Sequence, residues 1–231
     1  MKTTLFSFVL SMSFILAVPV NAQKHMPSNR WAIELLPIDA ATFKKAFKVR
    51  KKTVISNTAT YRKKNGILRL PLANGKKVVF EDNKGTPYDE DRKSFFYLGQ
   101  VKVLGCYLVE QHLFESTDYV LINKKTGKTN TLAGKPAVSP DGRIVFNTAF
   151  NRYEEYADVS PPSQDVYLSV VNSGGFSEPY RVSYNNMYIT NYAWETNSSL
   201  VICYRTREEE SDKDVKYARL RLKKHVINRS K

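Results

Sequence analysis

"AVSPDGRIVF" runs from Ala137 to Phe146. Ser139-Pro140-Asp141-Gly142 reads as a tight turn. Pro140 presets φ, Asp141 can bond its own backbone, and Gly142 closes the bend. Arg143–Phe146 follows at once as a run of β-formers. A turn that drives the chain into an apolar strand is architecture, so Asp141 is not read as a catalytic carboxylate. The stretch serves as a ruler for the rest of the chain. "AWETNSSLVICYR", Ala193 to Arg205, is a degenerate copy: Trp194 stands just before the turn and Asn197-Ser198-Ser199 replaces Pro-Asp-Gly.

Working outward, short β-runs bounded by turn residues fill the chain after residue 65. Ile67–Leu72 and Lys76–Glu81 flank Ala73-Asn74-Gly75, and Asn-Gly between two strands is the strongest short hairpin signal. Phe95–Leu104, Cys106–Leu113, Asp118–Ile122 and Lys128–Leu132 come next, the last two joined across Asn123–Gly127. Arg143–Ala149, Asp165–Val171, Pro179–Ser183, Met187–Tyr192, Ser199–Arg205 and Val215–Leu222 complete the set. About a dozen strands define an all-β protein. Paired units recur: Cys106–Val109 with Asp118–Ile122, Ile144–Phe146 with Asp165–Leu168, and Leu200–Ile202 with Val215–Leu220. Each unit is an apolar strand, a variable polar loop and a second strand, as in propeller blades.

"SPDGRIVF" resembles the blade-opening segment of TolB-like and WD40-like bacterial β-propellers. "YVLINKKTGKTNTLAGKPAVSPDGRIVF", Tyr119 to Phe146, looks like the end of one blade and the start of the next. The resemblance covers roughly residues 65–222. It implies a small or incomplete β-propeller-like stack of antiparallel sheets. At about 45 residues per blade the stretch yields three to four blades, near or below closure. A curled sheet or β-sandwich is the alternative. Such propellers more often bind proteins, peptides or glycans than catalyse, though fold does not give function.

The start of the chain has a separate meaning. Lys2, the apolar run Leu5–Val18 and Pro19-Val20-Asn21-Ala22 form a signal peptide over residues 1–22. Export to the periplasm or the extracellular space is expected. No later run approaches the length of a membrane span. Residues 23–64 read as a basic N-terminal appendage and 65–231 as the β domain. Within the appendage, Asp39 caps a short amphipathic helix over roughly 40–51, with Phe43 and Phe47 on one face and lysines on the other. Its apolar face is read as docking onto the protein rather than onto a membrane. Export would permit a disulfide between Cys106 and Cys203. Both lie in apolar runs, so two buried free thiols are the alternative.

The net charge is +14, and it is concentrated. From Ala40 to Phe80 there are twelve Lys or Arg and no Asp or Glu, whereas Glu81–Lys231 carries 21 basic and 20 acidic residues. Lys44, Lys45, Lys51, Lys52, Lys63 and Lys64 are the candidate contacts for a protein or for an anionic envelope polymer or lipid. A solvated basic face is the plain alternative. No recognised nucleic-acid-binding motif occurs, and none is expected in an exported protein. The longest insertion, "FNRYEEYADVSPPSQDVY", offers Arg152, Tyr153 and Tyr156 as a second candidate binding surface.

Searches for chemistry return little. His25, His112 and His225 lack metal spacing, no Cys-x-x-Cys occurs, and no cofactor motif is present. There is no Gly-x-Ser-x-Gly. Glu154, Glu155, Asp158, Glu195 and Glu208–Glu210 could supply an acid and a base only if two were held at fixed separation. The sequence therefore predicts an exported, non-enzymatic binding or scaffold protein of the cell envelope. The alternatives are a secreted glycan hydrolase using paired carboxylates, or a structural subunit that completes its sheet in an oligomer.

Overall fold

The computed structural model describes residues 31–50, 53–85, 91–151, 154, 163–172, 175–177, 179–184, 187–206 and 215–224. The predicted signal peptide lies outside them, as do Lys51, Lys52, Arg152, Tyr153 and Tyr156. In chain order the elements are β1 (Trp31–Pro37), α1 (Ala40–Val49), β2 (Val54–Ser56), β3 (Ile67–Pro71), β4 (Lys77–Glu81), β5 (Ser94–Val101), β6 (Cys106–His112), β7 (Thr117–Asn123) and β8 (Thr129–Leu132). Then follow β9 (Ala137–Val138), β10 (Ile144–Phe150), β11 (Gln164–Asn172), β12 (Gly175–Phe176), β13 (Tyr180–Tyr184), β14 (Met187–Trp194), β15 (Ser199–Thr206) and β16 (Lys216–Lys224).

Over the described residues the protein is an all-β stack of antiparallel sheets with one short helix, α1. The first sheet has the order β2-β5-β6-β7-β8. The second runs β9-β10-β11, with β12 and β13 both pairing β11. The third runs β14-β15-β16-β1, so the first strand of the described chain pairs with its last. β3 and β4 form a separate hairpin. No sheet closes into a barrel. The three units of the sequence repeat are the antiparallel pairs β6–β7, β10–β11 and β15–β16.

Side-chain alternation explains the order of the layers. Successive residues of a strand face opposite sides of the sheet. In β6, Tyr107 and Val109 face the β3–β4 hairpin, packing with Leu68, Leu70 and Phe95, while Cys106 and Leu108 pack towards Val138 and Val145 of the second sheet. In β10, Val145 faces the first sheet, while Ile144 and Phe146 pack on Trp194, Leu200 and Ile202 of the third. In β15, Leu200 and Ile202 face the second sheet, while Val201 and Cys203 pack beneath Phe43 and Ala46 of α1. The layers are thus hairpin, first sheet, second sheet, third sheet, helix. Because each central strand is covered on both faces, its sequence reads as an unbroken apolar run rather than as an alternation.

Two local devices hold the stack together. Buried Gln164 of β11 hydrogen-bonds the backbone of Ile189 in β14: Ile189 N–H donates to Oε1 at 2.6 Å and Nε2 donates to the carbonyl at 3.3 Å. The side chain so continues a sheet ladder across two layers. At the outer end, Asp39 caps α1 by accepting from Thr42 N–H at 2.6 Å, and Phe43 stacks on Phe47 and Tyr217.

Candidate functional site

The opening turn is built as read. Gly142 N–H donates to the Ser139 carbonyl, Gly142 takes φ +74°, and the Ser139 hydroxyl donates to Asp141 and accepts from Ile144 N–H. Burial opposes ionisation of Asp141. The Ser139 hydroxyl and the Arg143 N–H outweigh it and hold the carboxyl below its ordinary value. In the third sheet the same bend is made without glycine. Glu195 and Thr196 N–H both donate to the Ser199 carbonyl, and Arg219 grips Glu195 with two hydrogen bonds of 2.6 and 2.7 Å.

The fold divides the basic run. Lys44, Lys45 and Lys48 are exposed on α1, at the helix end of the stack. Lys63 and Lys64 lie beside the hairpin, at the other end. The six predicted lysine contacts therefore do not form one face: two are at the helix end, two at the hairpin end, and Lys51 and Lys52 lie outside the described residues. The two cysteines are free buried thiols in different cores. Cys106 lies between the first and second sheets, and Cys203 beneath α1. Burial pushes the Cys106 thiol up to about 11.

At the hairpin end the basic residues meet aromatic rings. Ser56 ends β2, and the chain turns at Asn57–Thr60. It then bends sharply at Asn65-Gly66, where both residues have positive φ and Lys64 and Ile67 exchange two backbone hydrogen bonds. Between this loop and β5–β6 lies a cleft of about 460 Å³, lined by Tyr61, Arg62, Lys63, Phe95, Phe96, Tyr97, Glu110 and His112 among others. Asp82 anchors it. Its carboxylate, 11% exposed, accepts from Lys63 Nζ at 2.5 Å and from Phe95 N–H at 2.9 Å.

That anchor holds Lys63 Nζ 4.2 Å over the Phe96 ring. Phe96 also meets the His112 ring at 4.8 Å, and His112 Nε2 lies 3.4 Å from Glu110. Tyr61 packs edge-on against Tyr97 and Tyr107 at 5.1 and 5.5 Å. The Tyr107 hydroxyl donates to the Pro71 carbonyl, fixing the hairpin to the first sheet. Burial raises the phenols of Tyr97 and Tyr107, and burial with the Glu110 carboxylate pushes Tyr119 up to about 12. These tyrosines stay neutral at physiological pH. Arg62 and Lys64 are exposed, with no carboxylate partner among the described residues.

The cleft offers an apolar floor that accepts a flat or C–H-rich surface, and cations beside it. Phe96 is 41% exposed. Sequence reading singled out Lys63 and Lys64 but missed Tyr61, Arg62, Phe96, Glu110 and His112. The Asn65-Gly66 pair was the available signal, since it folds the basic loop back onto β5. Among the described residues, no group of three or more His, Cys, Asp or Glu is placed to hold a metal ion. No helix among them is long and apolar enough to cross a membrane. The chain matches no known family, no curated protein and no solved structure.

Proposed function

We propose that the protein is an exported, non-enzymatic binding protein of the cell envelope, and that the hairpin-end cleft holds an acidic glycan. The observation that carries this reading is that exposed Arg62, with no carboxylate partner among the described residues, lines one cleft with the aromatic rings of Tyr61 and Phe96. Sugar rings present C–H-rich faces that pack on aromatic rings, and a guanidinium binds a carboxylate bidentately. The stacked, propeller-like sheets supply a rigid frame for such a loop site. Glu195, which sequence reading weighed as an acid, is held below its ordinary value by Arg219, against the need of a general acid.

Polygalacturonate, a polymer of acidic sugars, tests the reading. Arg62→Gln should weaken its binding to the full chain about tenfold or more, as the loss of a charge-assisted hydrogen bond of about 1.5–3 kcal/mol requires. Phe96→Ala should weaken it too. Lys44→Gln with Lys45→Gln, at the helix end, should do much less. Equal losses from both lysine-bearing ends would reduce the interaction to net charge and sink the cleft as a site.

A further inference from the structure

A second pocket, of about 350 Å³, lies at the other end of the stack, between α1 and the leading turns of the second and third sheets. Ala46 and Val49 of α1 form one wall, Val138 and Pro140 a second, and Trp194 and Asn197 a third. Its size is at the small end of ligand pockets, which span about 300–1,000 Å³.

Val138 and Trp194 hold equivalent places, each the last strand residue before its turn. Apolar contact is all the second sheet asks of Val138. The third sheet uses an indole, 9% exposed, whose Nε1–H has no acceptor among the described residues. An indole nitrogen only donates, and a buried donor left unpaired is destabilising. Trp194, in the wall of the pocket, is therefore short of one acceptor. Its surroundings select the charge of that acceptor. Lys44, Lys45, Lys48 and Arg50 of the adjoining helix segment are exposed with no carboxylate partner among the described residues, while Glu195 at the rim is matched by Arg219. Among the described residues the charge beside the pocket is positive, which attracts anions.

We propose that this pocket binds a small carboxylate with an apolar tail. The carboxylate accepts from Trp194 Nε1–H, and the tail lies against Val49, Val138 and Pro140. This site is independent of the hairpin-end cleft and of its ligand.

The chain has two tryptophans, so Trp31→Phe makes Trp194 the sole reporter. Monomeric decanoate added to this full-length variant should change Trp194 emission saturably, and decanol, without the charge, should bind more weakly. By calorimetry Trp194→Phe should lower decanoate affinity about tenfold, the value of one hydrogen bond to a charged group. Val49→Glu acts on a side chain 73% exposed, so folding is spared while the mouth gains a negative charge; it should weaken decanoate further. No saturable change up to millimolar decanoate would mean that water alone satisfies the indole, and the proposal falls. It falls equally if decanoate binds Val49→Glu as tightly as the parent chain.

Discussion

The helix-capped and hairpin-capped ends of the stack draw on one basic run of sequence, yet each handles its cations differently. At the helix end Lys44, Lys45 and Lys48 stand in solvent on the far side of a helix held by Phe43 and Ala46. At the hairpin end Lys63 is half-buried, paired to Asp82 and laid over Phe96. The difference teaches that density of charge along a chain does not make a surface. The fold put three sheets between the two halves of the run, tying Lys63 to a carboxylate and a ring while leaving Lys44, Lys45 and Lys48 in solvent.

The largest expected effect breaks the helix end. Phe43→Ala removes the side chain that joins α1 to Val201, Cys203 and Tyr217. Phe→Ala changes in cores cost about 3–5 kcal/mol, so the chemical-denaturation midpoint should fall sharply. A loss below about 1 kcal/mol would mean that α1 hardly contributes to the third sheet's cover. At the hairpin end, Asp82→Ala strands Lys63 and leaves Phe95 N–H without its acceptor. About 1–3 kcal/mol is expected from the unpaired groups, together with loss of polygalacturonate binding. Retained binding after Asp82→Ala would separate the anchor from the site.

A pH series sharpens the comparison. Glu195, beneath the helix end, has a folded-state pKa below its unfolded one, chiefly through Arg219. Its contribution to stability is present above the unfolded carboxylate pKa and is lost as pH falls through the folded value. Cys106, in the first sheet, has a pKa raised by burial from 9.0 to about 11. Above pH 9 the unfolded chain ionises and the folded chain does not, so stability falls between pH 9 and about 11. Amide exchange should therefore report β15–β16 loosening first in acid and β5–β6 first in alkali. The reverse order would overturn the assignment. The smallest effect is Lys44→Gln with Lys45→Gln and Lys48→Gln. Retention on an anionic resin at about 0.15 M salt should drop with no measurable change in thermal midpoint.

Much of this architecture was legible in the sequence. The hairpin over Asn74-Gly75, the helix capped by Asp39 and the three strand pairs follow from turn chemistry and from apolar runs that succeed one another along the chain. The predicted helix ran to 51 and the described one ends at Val49. Four strands carry no clear sequence signal: β2, β9 and β12 are too short to show a period, and β1 lies within the N-terminal appendage. Its pairing with β16 joins residues that no local pattern relates. The cleft was hidden for the same reason. Tyr61, Phe96 and His112 come from a loop and two strands, and Phe96 and His112 meet only because β5 and β6 pair in one register. Charge had the opposite fault, being plain in the sequence but divided by the fold.

The pairing of β1 with β16 also sets a schedule. Trp31 is opposite Lys224, so a ribosome must add nearly the whole chain after making the one strand before it can offer the other. At about 5–20 residues per second that interval is roughly 10–40 s. The first sheet and its hairpin can close from residues made together. The third sheet, and the helix that rests on it, must wait for the last strand, so the earliest-made of the described strands is among the last to find its place.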